Sequence, residues 1–373
     1  MRVVHVGCVR DPARRPPRAL LEAWPTLADV AAAVAAAGAE VAVVQASHED
    51  AVHAQDDVDY HFVRAPAGLR PWLADPAPLA AAVGALAPDI VHLHGLDFPR
   101  HARALSGLGV PLLAQDHGSR ADDVRRAVRF WGYRRVAAVA FTAAAQAQPF
   151  LKTRQLPARA RIVELPESST RFTAGDPAAA RIAAGVDGDP VLLWVGRLDA
   201  NKDPLTILRA VGLALPHLPR LRLVCCFGDD RLLPEIRRLL DADPALAARV
   251  DLRGRIPHFE VETLCRAADV FLLGSAREGS GYALIEAIAC GATPVVSDIP
   301  SFRALTGNGA IGRLVPRGDA QGFAAALVAL ARAPRETLRA AARAHFERHL
   351  SFDVIGARLV DAYRTLLGEA PAA

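Results

Sequence analysis

An alternation that runs along almost the whole chain, and breaks once, limits its fold more than any other feature. Short β-branched and apolar runs alternate with longer Ala/Leu-rich runs of helical period. The runs at 3–7, 41–45, 60–63, 90–94, 112–114, 137–141 and 162–164 read as strands, and helical patterns such as 20–37 and 78–86 fill the gaps. That rhythm predicts βαβ units and a parallel sheet covered by helices on both faces. The stretch LPESSTRFTAGDPAAARIAAGVDGDP, 165–190, mixes Pro, Gly, Ser and Asp and reads as a linker with one short helix. The alternation then restarts, with strands expected at 191–195, 221–225, 250–252, 270–273, 294–297 and 313–315. At 373 residues the chain is too long for one ordinary core. The expectation is an α/β protein of two doubly wound, Rossmann-like domains, 1–170 and 171–348. Their carboxyl strand ends face a shared ligand cleft. The tail, 349–373, reads as helical.

Composition narrows the function. The five cysteines are scattered, with no C-x-x-C pair or Cys/His ladder, which argues against a disulfide framework or a zinc site and for a reducing compartment. The start, MRVVHVGC, is a strand pattern rather than a signal peptide, and the longest apolar run, 30–39, is too short to span a bilayer. A cytoplasmic protein is expected, with peripheral contact at the inner membrane face open to it. A net charge of +4 fits an anionic ligand or a membrane surface and does not suggest nucleic acid. Only two of the 44 basic residues are lysine, Lys152 and Lys202, so a lysine inside a motif hints that a compact ammonium is wanted there.

The segment SAREGSGYALIEAIACGATPVVS, Ser275–Ser297, puts Gly279, Ser280 and Gly281 between a strand and a helix. Glycines there let backbone N–H groups approach an anion, and the helix N-terminus adds partial positive charge. Two acids flank this loop. Glu286 is the one carboxylate of an apolar helix, so its burial demands hydrogen-bond donors or a cation. A vicinal diol, as in ribose, is such a donor pair, and Glu278 is placed to accept from other hydroxyls. Amides on a diphosphate, with acids on polyols at either side, describe a nucleotide-sugar site. Taken alone, Glu286 reads equally as a structural acid paired with an arginine. In VLLWVGRLDANKDP, Val191–Pro204, a strand ends at Gly196 and Arg197, with Lys202 just before a helix capped by Asp203. Arg197 and Lys202 together can neutralise charge building on a leaving diphosphate; taken alone, the pair reads better as Arg197 on Asp199 and Lys202 in solvent.

In the first half, His92 and His94 share one strand face. With Asp97 they mimic a metal site, but no third ligand is strongly implied and no metal is expected. His117, after Gln115-Asp116, falls just past a strand end, and Asp116 is placed to orient it or to act as a base. His94 and Gly7 join Asp116 as acceptor-side candidates.

GRLDANKDP together with EGSGYALIEAIACGATPVV resembles the donor-binding half of the family-4 glycosyltransferases of the GT-B fold, over 191–318. The resemblance implies transfer of a sugar from a nucleoside-diphosphate sugar to an acceptor hydroxyl, with retention and without a metal or other cofactor. It implies Arg197 and Lys202 on the pyrophosphate, Glu286 on the ribose, and Glu278 with the 279–281 amides on the sugar. The loop Arg255-Ile256-Pro257 faces the base, His117 touches the donor sugar, and the C-terminal helix packs back on the first domain. The catalytic set is then His117, Arg197, Lys202 and Glu278, and the acceptor a glycan, a lipid-linked glycan or a small molecule. One departure stands out: the Gly-Gly turn many members carry after the first strand is absent. Here VGCVRDPARRPPRAL offers Arg10, Arg14, Arg15 and Arg18, which read as a solvated basic loop or as a contact for an anionic acceptor or membrane lipid. Two other readings stay open: an epimerase of nucleotide sugars on the same architecture, and a non-catalytic carbohydrate-binding protein on a transferase scaffold. A nicotinamide dehydrogenase is disfavoured, since no G-x-G-x-x-G follows the first strand.

Overall fold

The computed structural model describes residues 1–65, 70, 73–122 and 124–369. The end of the expected C-terminal segment, 370–373, lies outside the described residues. The chain divides into two compact units, one of residues 1–169 with 352–373 and the other of 170–351.

The first unit holds eight strands: β1 (Arg2–Gly7), β2 (Glu40–Ser47), β3 (Ala51–Gln55), β4 (Val58–Arg64), β5 (Ile90–His94), β6 (Leu112–Gln115), β7 (Ala138–Phe141) and β8 (Arg161–Glu164). Their order is β3-β4-β2-β1-β5-β6-β7-β8. All pairs are parallel except β3–β4, an antiparallel hairpin at the edge. The sequence reading missed β3, because AVHAQ is half-polar and exposed. Strand side chains alternate between two cores. Val4, Val6, Val91 and Leu93 enter one. Val3, Ile90 and Leu113 enter the other, with Ile355, Leu359, Val360 and Tyr363 of the C-terminal helix Phe352–Leu367. The expected helix 20–37 is two, Pro17–Ala23 and Pro25–Ala36, bent by 88°. Pro25 lacks the N–H to continue the first helix and suits the first turn of the second. Among the described residues no single helix is long and apolar enough to cross a membrane.

The second unit holds β9 (Val191–Gly196), β10 (Arg222–Phe227), β11 (Val250–Gly254), β12 (Val270–Leu273), β13 (Thr293–Ser297) and β14 (Arg313–Val315) in the order β11-β10-β9-β12-β13-β14, all parallel. The inner strands β9, β10, β12 and β13 are largely buried on both faces, and the edge strands β11 and β14 pack in part on the same apolar core. In each sheet the strand order reverses at one place, between β1 and β5 and between β9 and β12. In open α/β sheets, ligands bind beyond the carboxyl ends at that point.

Candidate functional site

In the second unit, two loops leave the switch point. After β9, residues 197–203 lead into the helix Pro204–Ala214; after β12, residues 274–281 lead into the helix Tyr282–Ala289. They are stitched to each other: Ala276 N–H donates to the Asn201 carbonyl at 2.7 Å and Asn201 Nδ2 to the Arg277 carbonyl at 2.9 Å. The approach is close enough that a Cβ on Gly274 would sit 3.1 Å from the Asp203 carbonyl.

This stitching brings Lys202 onto Glu278, Nζ to Oε1 at 2.5 Å, with both side chains mostly buried. The Ser275 hydroxyl donates to the same oxygen at 2.5 Å, and Ser297 Oγ holds the Ser275 carbonyl. A carboxylate with an ammonium and a hydroxyl on one oxygen is fixed in charge and orientation. Arg197 is more exposed, and its Nε lies 3.3 Å from Asp199 Oδ2. Asp199 also accepts the Lys202 N–H at 3.0 Å and lies 3.6 Å from Arg231. It therefore shapes the loop as well as neutralising an arginine.

Gly281 precedes the second helix at φ +70°, where a Cβ would also come within 2.6 Å of Leu305 Cδ1. Gly279 and Ser280 are half-buried beside it. Gly196 ends β9, where a Cβ would meet the Trp194 ring at 3.2 Å. Glu286 is 13% exposed, and its Oε1 lies 2.8 Å from Nε2 of the exposed His258. The hydrogen bond that His258 donates to Glu286 holds its pKa above the ordinary histidine value, against the pull of burial. Sequence reasoning passed over His258. The available signal was its place at the first turn of the helix His258–Ala267, two residues past Ile256, which is half-buried on the core.

In the first unit, His117 is held by a residue the sequence did not offer. Its Nδ1 lies 2.5 Å from Oε1 of Glu167, which is buried, and Nε2 lies 3.2 Å from His94 Nδ1. Burial opposes the charge on His117, but Glu167, with Asp116, outweighs it and raises its pKa. The Asp116 carboxylate accepts the Gly118 and Ser119 N–H groups and so builds the turn that follows His117. Glu167 lies fifty positions along, in the Pro/Ser-rich stretch that read as linker, where no local pattern marks it. Gly7 is a packing glycine, since a Cβ would fall 2.0 Å from Gln45 Oε1.

The metal reading is corrected in its members. The third histidine beside His92 and His94 is His5 of β1, whereas Asp97 is held by Arg125 and Arg129. The ligand atoms of the three histidines lie within 4.8 Å of one another. An imidazole binds a metal in its ring plane, along a nitrogen lone pair. His5 Nδ1 and His94 Nε2 lie 3.0 Å apart, within hydrogen-bond distance, so these two nitrogens already serve each other.

The loop after β1 is organised by Asp11 in place of a glycine pair. Its buried carboxylate accepts the Ala13 and Arg15 N–H groups and the Arg15 guanidinium. Arg10 and Arg14 of this loop, with Arg70, His48 and His101, line a cavity of about 460 Å³, large enough for a small-molecule ligand. Arg15 and Arg18 are not among its lining residues.

The sequence pattern of the family described as "Glycosyl transferases group 1" matches residues 189–333, and that of "Glycosyltransferase Family 4" matches 25–166. The GDP-mannose:cellobiosyl-diphosphopolyprenol alpha-mannosyltransferase of Xanthomonas campestris is 29% identical over 307 residues, 78% of each chain. The D-inositol 3-phosphate glycosyltransferase of Geodermatophilus obscurus is 36% identical over 204 residues, 51% of this chain and 44% of that one. Among solved structures, sucrose-phosphate synthase from Thermosynechococcus elongatus superposes with a TM-score of 0.67 at 19% identity, over 98% of this chain and 99% of that one. Anabaena Alr3699/HepE in complex with UDP and glucose gives 0.65 at 17% identity, over 98% of this chain and 100% of that one.

Proposed function

We propose that this chain, which belongs to the family-4, group 1 glycosyltransferases of the GT-B fold, transfers its sugar with retention to a hydroxyl of a phosphate-bearing acceptor, and that its own cations take the part of a metal. The observation that carries the donor reading is the Lys202–Glu278 pair, formed where two stitched loops leave the switch point. Arg197 and Lys202 hold the pyrophosphate, Glu286 the ribose diol, and Glu278 with the 279–281 amides the sugar. Ile256 faces the base, and Gly196 lets the loop after β9 leave the strand close to the ligand.

The reaction breaks the bond from the anomeric carbon to the diphosphate oxygen and forms one to the acceptor oxygen, whose proton passes to the leaving diphosphate. A front-face displacement needs no protein nucleophile. Catalysis then rests on stabilising charge on the leaving diphosphate and on positioning the acceptor. Lys202, mostly buried and preset by Glu278, is the group best placed for the first task, because a fixed charge in a low-dielectric site needs no reorganisation. In the first unit His117 is the candidate catalytic group, with His94 3.2 Å away and Asp116 next to it in sequence as further candidates for the acceptor side.

The acceptor reading rests on the cavity with Arg10, Arg14 and Arg70, whose guanidiniums suit phosphate oxygens. The names of both relatives above specify phosphorylated acceptors, a diphosphopolyprenol and an inositol 3-phosphate.

The test is a thermal-shift screen of UDP-, GDP- and ADP-sugars, in which the true donor stabilises the fold by mass action. With that donor, Glu286→Ala is expected to weaken binding about 10-fold or more. Lys202→Ala is expected to lower kcat by about 100-fold. Wild-type affinity and rate in both variants would refute the donor site. An isomer formed from donor alone would replace transfer by epimerisation. Arg14→Ala is expected to raise the acceptor KM about 10-fold and leave donor affinity unchanged.

A further inference from the structure

The face of the first sheet that carries Val3, Ile90 and Leu113 also carries three histidines, His5 on β1 and His92 and His94 on β5. His5 stands opposite His92 in the parallel register. His5 and His92 are fully buried, and Tyr363 of the C-terminal helix, also fully buried, covers them. Imidazoles in an apolar core are costly unless each nitrogen finds a partner. Here the partners are one another. His117 Nε2 lies 3.2 Å from His94 Nδ1, His94 Nε2 lies 3.0 Å from His5 Nδ1, His5 Nε2 lies 3.4 Å from Tyr363 Oη, and Tyr363 Oη lies 2.6 Å from His92 Nδ1. The chain starts at the Glu167 carboxylate and ends at His92 Nε2, a buried atom with no hydrogen-bond partner.

Each link has room for one hydrogen, and a neutral imidazole has one N–H and one lone pair. The order of hydrogens is therefore not free. When His117 is an imidazolium, its Nδ1–H donates to Glu167 and its Nε2–H to His94 Nδ1. His94 must then carry its hydrogen on Nε2, His5 likewise on Nε2, the Tyr363 hydroxyl donates to His92, and His92 carries Nε2–H. Gln115 Oε1, buried beside His92 and likewise unpartnered, is an acceptor of the complementary kind. When His117 is neutral with its hydrogen on Nδ1, every link reverses. His94, His5 and His92 then hold their hydrogens on Nδ1, and His92 Nε2 is a bare lone pair. The two states differ by one proton.

From this geometry we infer that His94, His5, Tyr363 and His92 are positioning residues for His117, a proton-ordered chain in which the protonation of one exposed ring sets the tautomer of three buried ones. The groups facing His117 are Glu167, Asp116 and His94, with His5 and His92 behind, and burial keeps those three neutral in the range where His117 titrates. The chain locks the His117 ring in one orientation in both states. A ring so held meets a ligand in one fixed pose, which links the chain to turnover. This link to turnover rests on the site role proposed for His117; the chain itself does not.

The experiment is imidazole 15N NMR of the full chain labelled at histidine, titrated through the His117 transition, in wild type and in Tyr363→Phe. In wild type, His94, His5 and His92 should pass from the Nε2–H to the Nδ1–H form at the pH where His117 loses its proton. In Tyr363→Phe, His94 and His5 should still follow His117 and His92 should cease to. Wild-type tautomers that ignore His117, or a His92 that follows it without the hydroxyl, would overturn the chain. Thermal unfolding of Tyr363→Phe checks that the variant is folded; if it is not, His5→Phe serves, which cuts the chain one link earlier, so that His94 should still follow His117 and His92 should cease to. With the chain intact, a kcat pH profile in which Tyr363→Phe moves the His117 limb without changing donor KM supports the link to turnover. An unmoved profile removes that link and leaves the chain standing.

Discussion

At the residue scale, the two acids proposed to hold the donor, Glu278 and Glu286, are already engaged by Lys202 and His258, and any ligand has to compete for them. Glu286 is the clearer case, because His258 sits on it at 2.8 Å. The His258 pKa is raised, so at and somewhat above pH 6.5 a share of the rings is charged and holds the carboxylate. If Glu286 takes the ribose diol as proposed, the diol has to displace or share that contact. Donor affinity is therefore expected to rise as pH climbs through the His258 transition, and His258→Ala should bind donor more tightly below that transition and lose the pH dependence. Calorimetric titration with the donor nucleotide between pH 6 and 9 measures it; an unchanged dependence in the variant would show that the ring does not guard the site. The Lys202–Glu278 pair behaves differently. Losing Lys202 takes the ammonium away from a mostly buried carboxylate, and Lys202→Ala is expected to cost about 1–3 kcal/mol of stability in addition to its effect on rate. Denaturant unfolding reads that cost separately from turnover.

At the element scale, the C-terminal helix belongs to the first unit by contact as tight as a helix pair permits. Gly356 lies against the helix Pro25–Ala36 so closely that a Cβ would fall 2.2 Å from the Ala33 backbone oxygen. Backbone cannot move aside as a flexible side chain can. Gly356→Ala is expected to cost about 3 kcal/mol by overpacking, to lower the Tm, and to raise hydrogen exchange across 352–367. The same helix carries Tyr363, so loosening it should also break the histidine chain. A variant with wild-type exchange in that helix would show that the contact is slack. Gly281 is constrained twice, by φ and by Leu305, which explains why a glycine stands where the loop turns into the helix that bears Glu286.

At the scale of the whole molecule, the two units should respond differently to acid. His5 is held neutral by burial down to about pH 3, and burial lowers His92 and His94 as well. Unfolded, each would take a proton near pH 6.5. Below that value the unfolded state binds more protons, so stability falls as pH drops, by about 1.4 kcal/mol per unit for each histidine, and for His5 the loss levels off near pH 3. His117 acts in the opposite sense. Its folded pKa is raised, so its contribution is complete below about 6.5 and fades as pH rises through the folded value. The second unit has no comparable cluster among its described residues. Hydrogen exchange at pH 7 and pH 5 is expected to show protection in 1–169 falling much further than in 170–351; equal losses would contradict the assignment of neutral buried rings.

The sequence carried a good deal of this unaided. Alternating apolar periodicity located most strands and the restart at 191, because burial on both faces of a parallel sheet leaves a mark on consecutive residues. The spacing in GRLDANKDP and in EGSGYALIE named the residues of the two loops, because a strand, a glycine turn and a helix start are local events. Edge strand β3 and the break at Pro25 were blurred, one by exposure and the other by an apolar pattern that continues across the proline. Only the tertiary structure could decide what each charge faces. His258 on Glu286, Glu167 on His117, and His5 beside His92 and His94 join residues from 28 to 89 positions apart. Pairing at that separation is settled by how sheets and helices pack. A single sequence records which groups must find partners in the core, and only the packed fold chooses among the candidates.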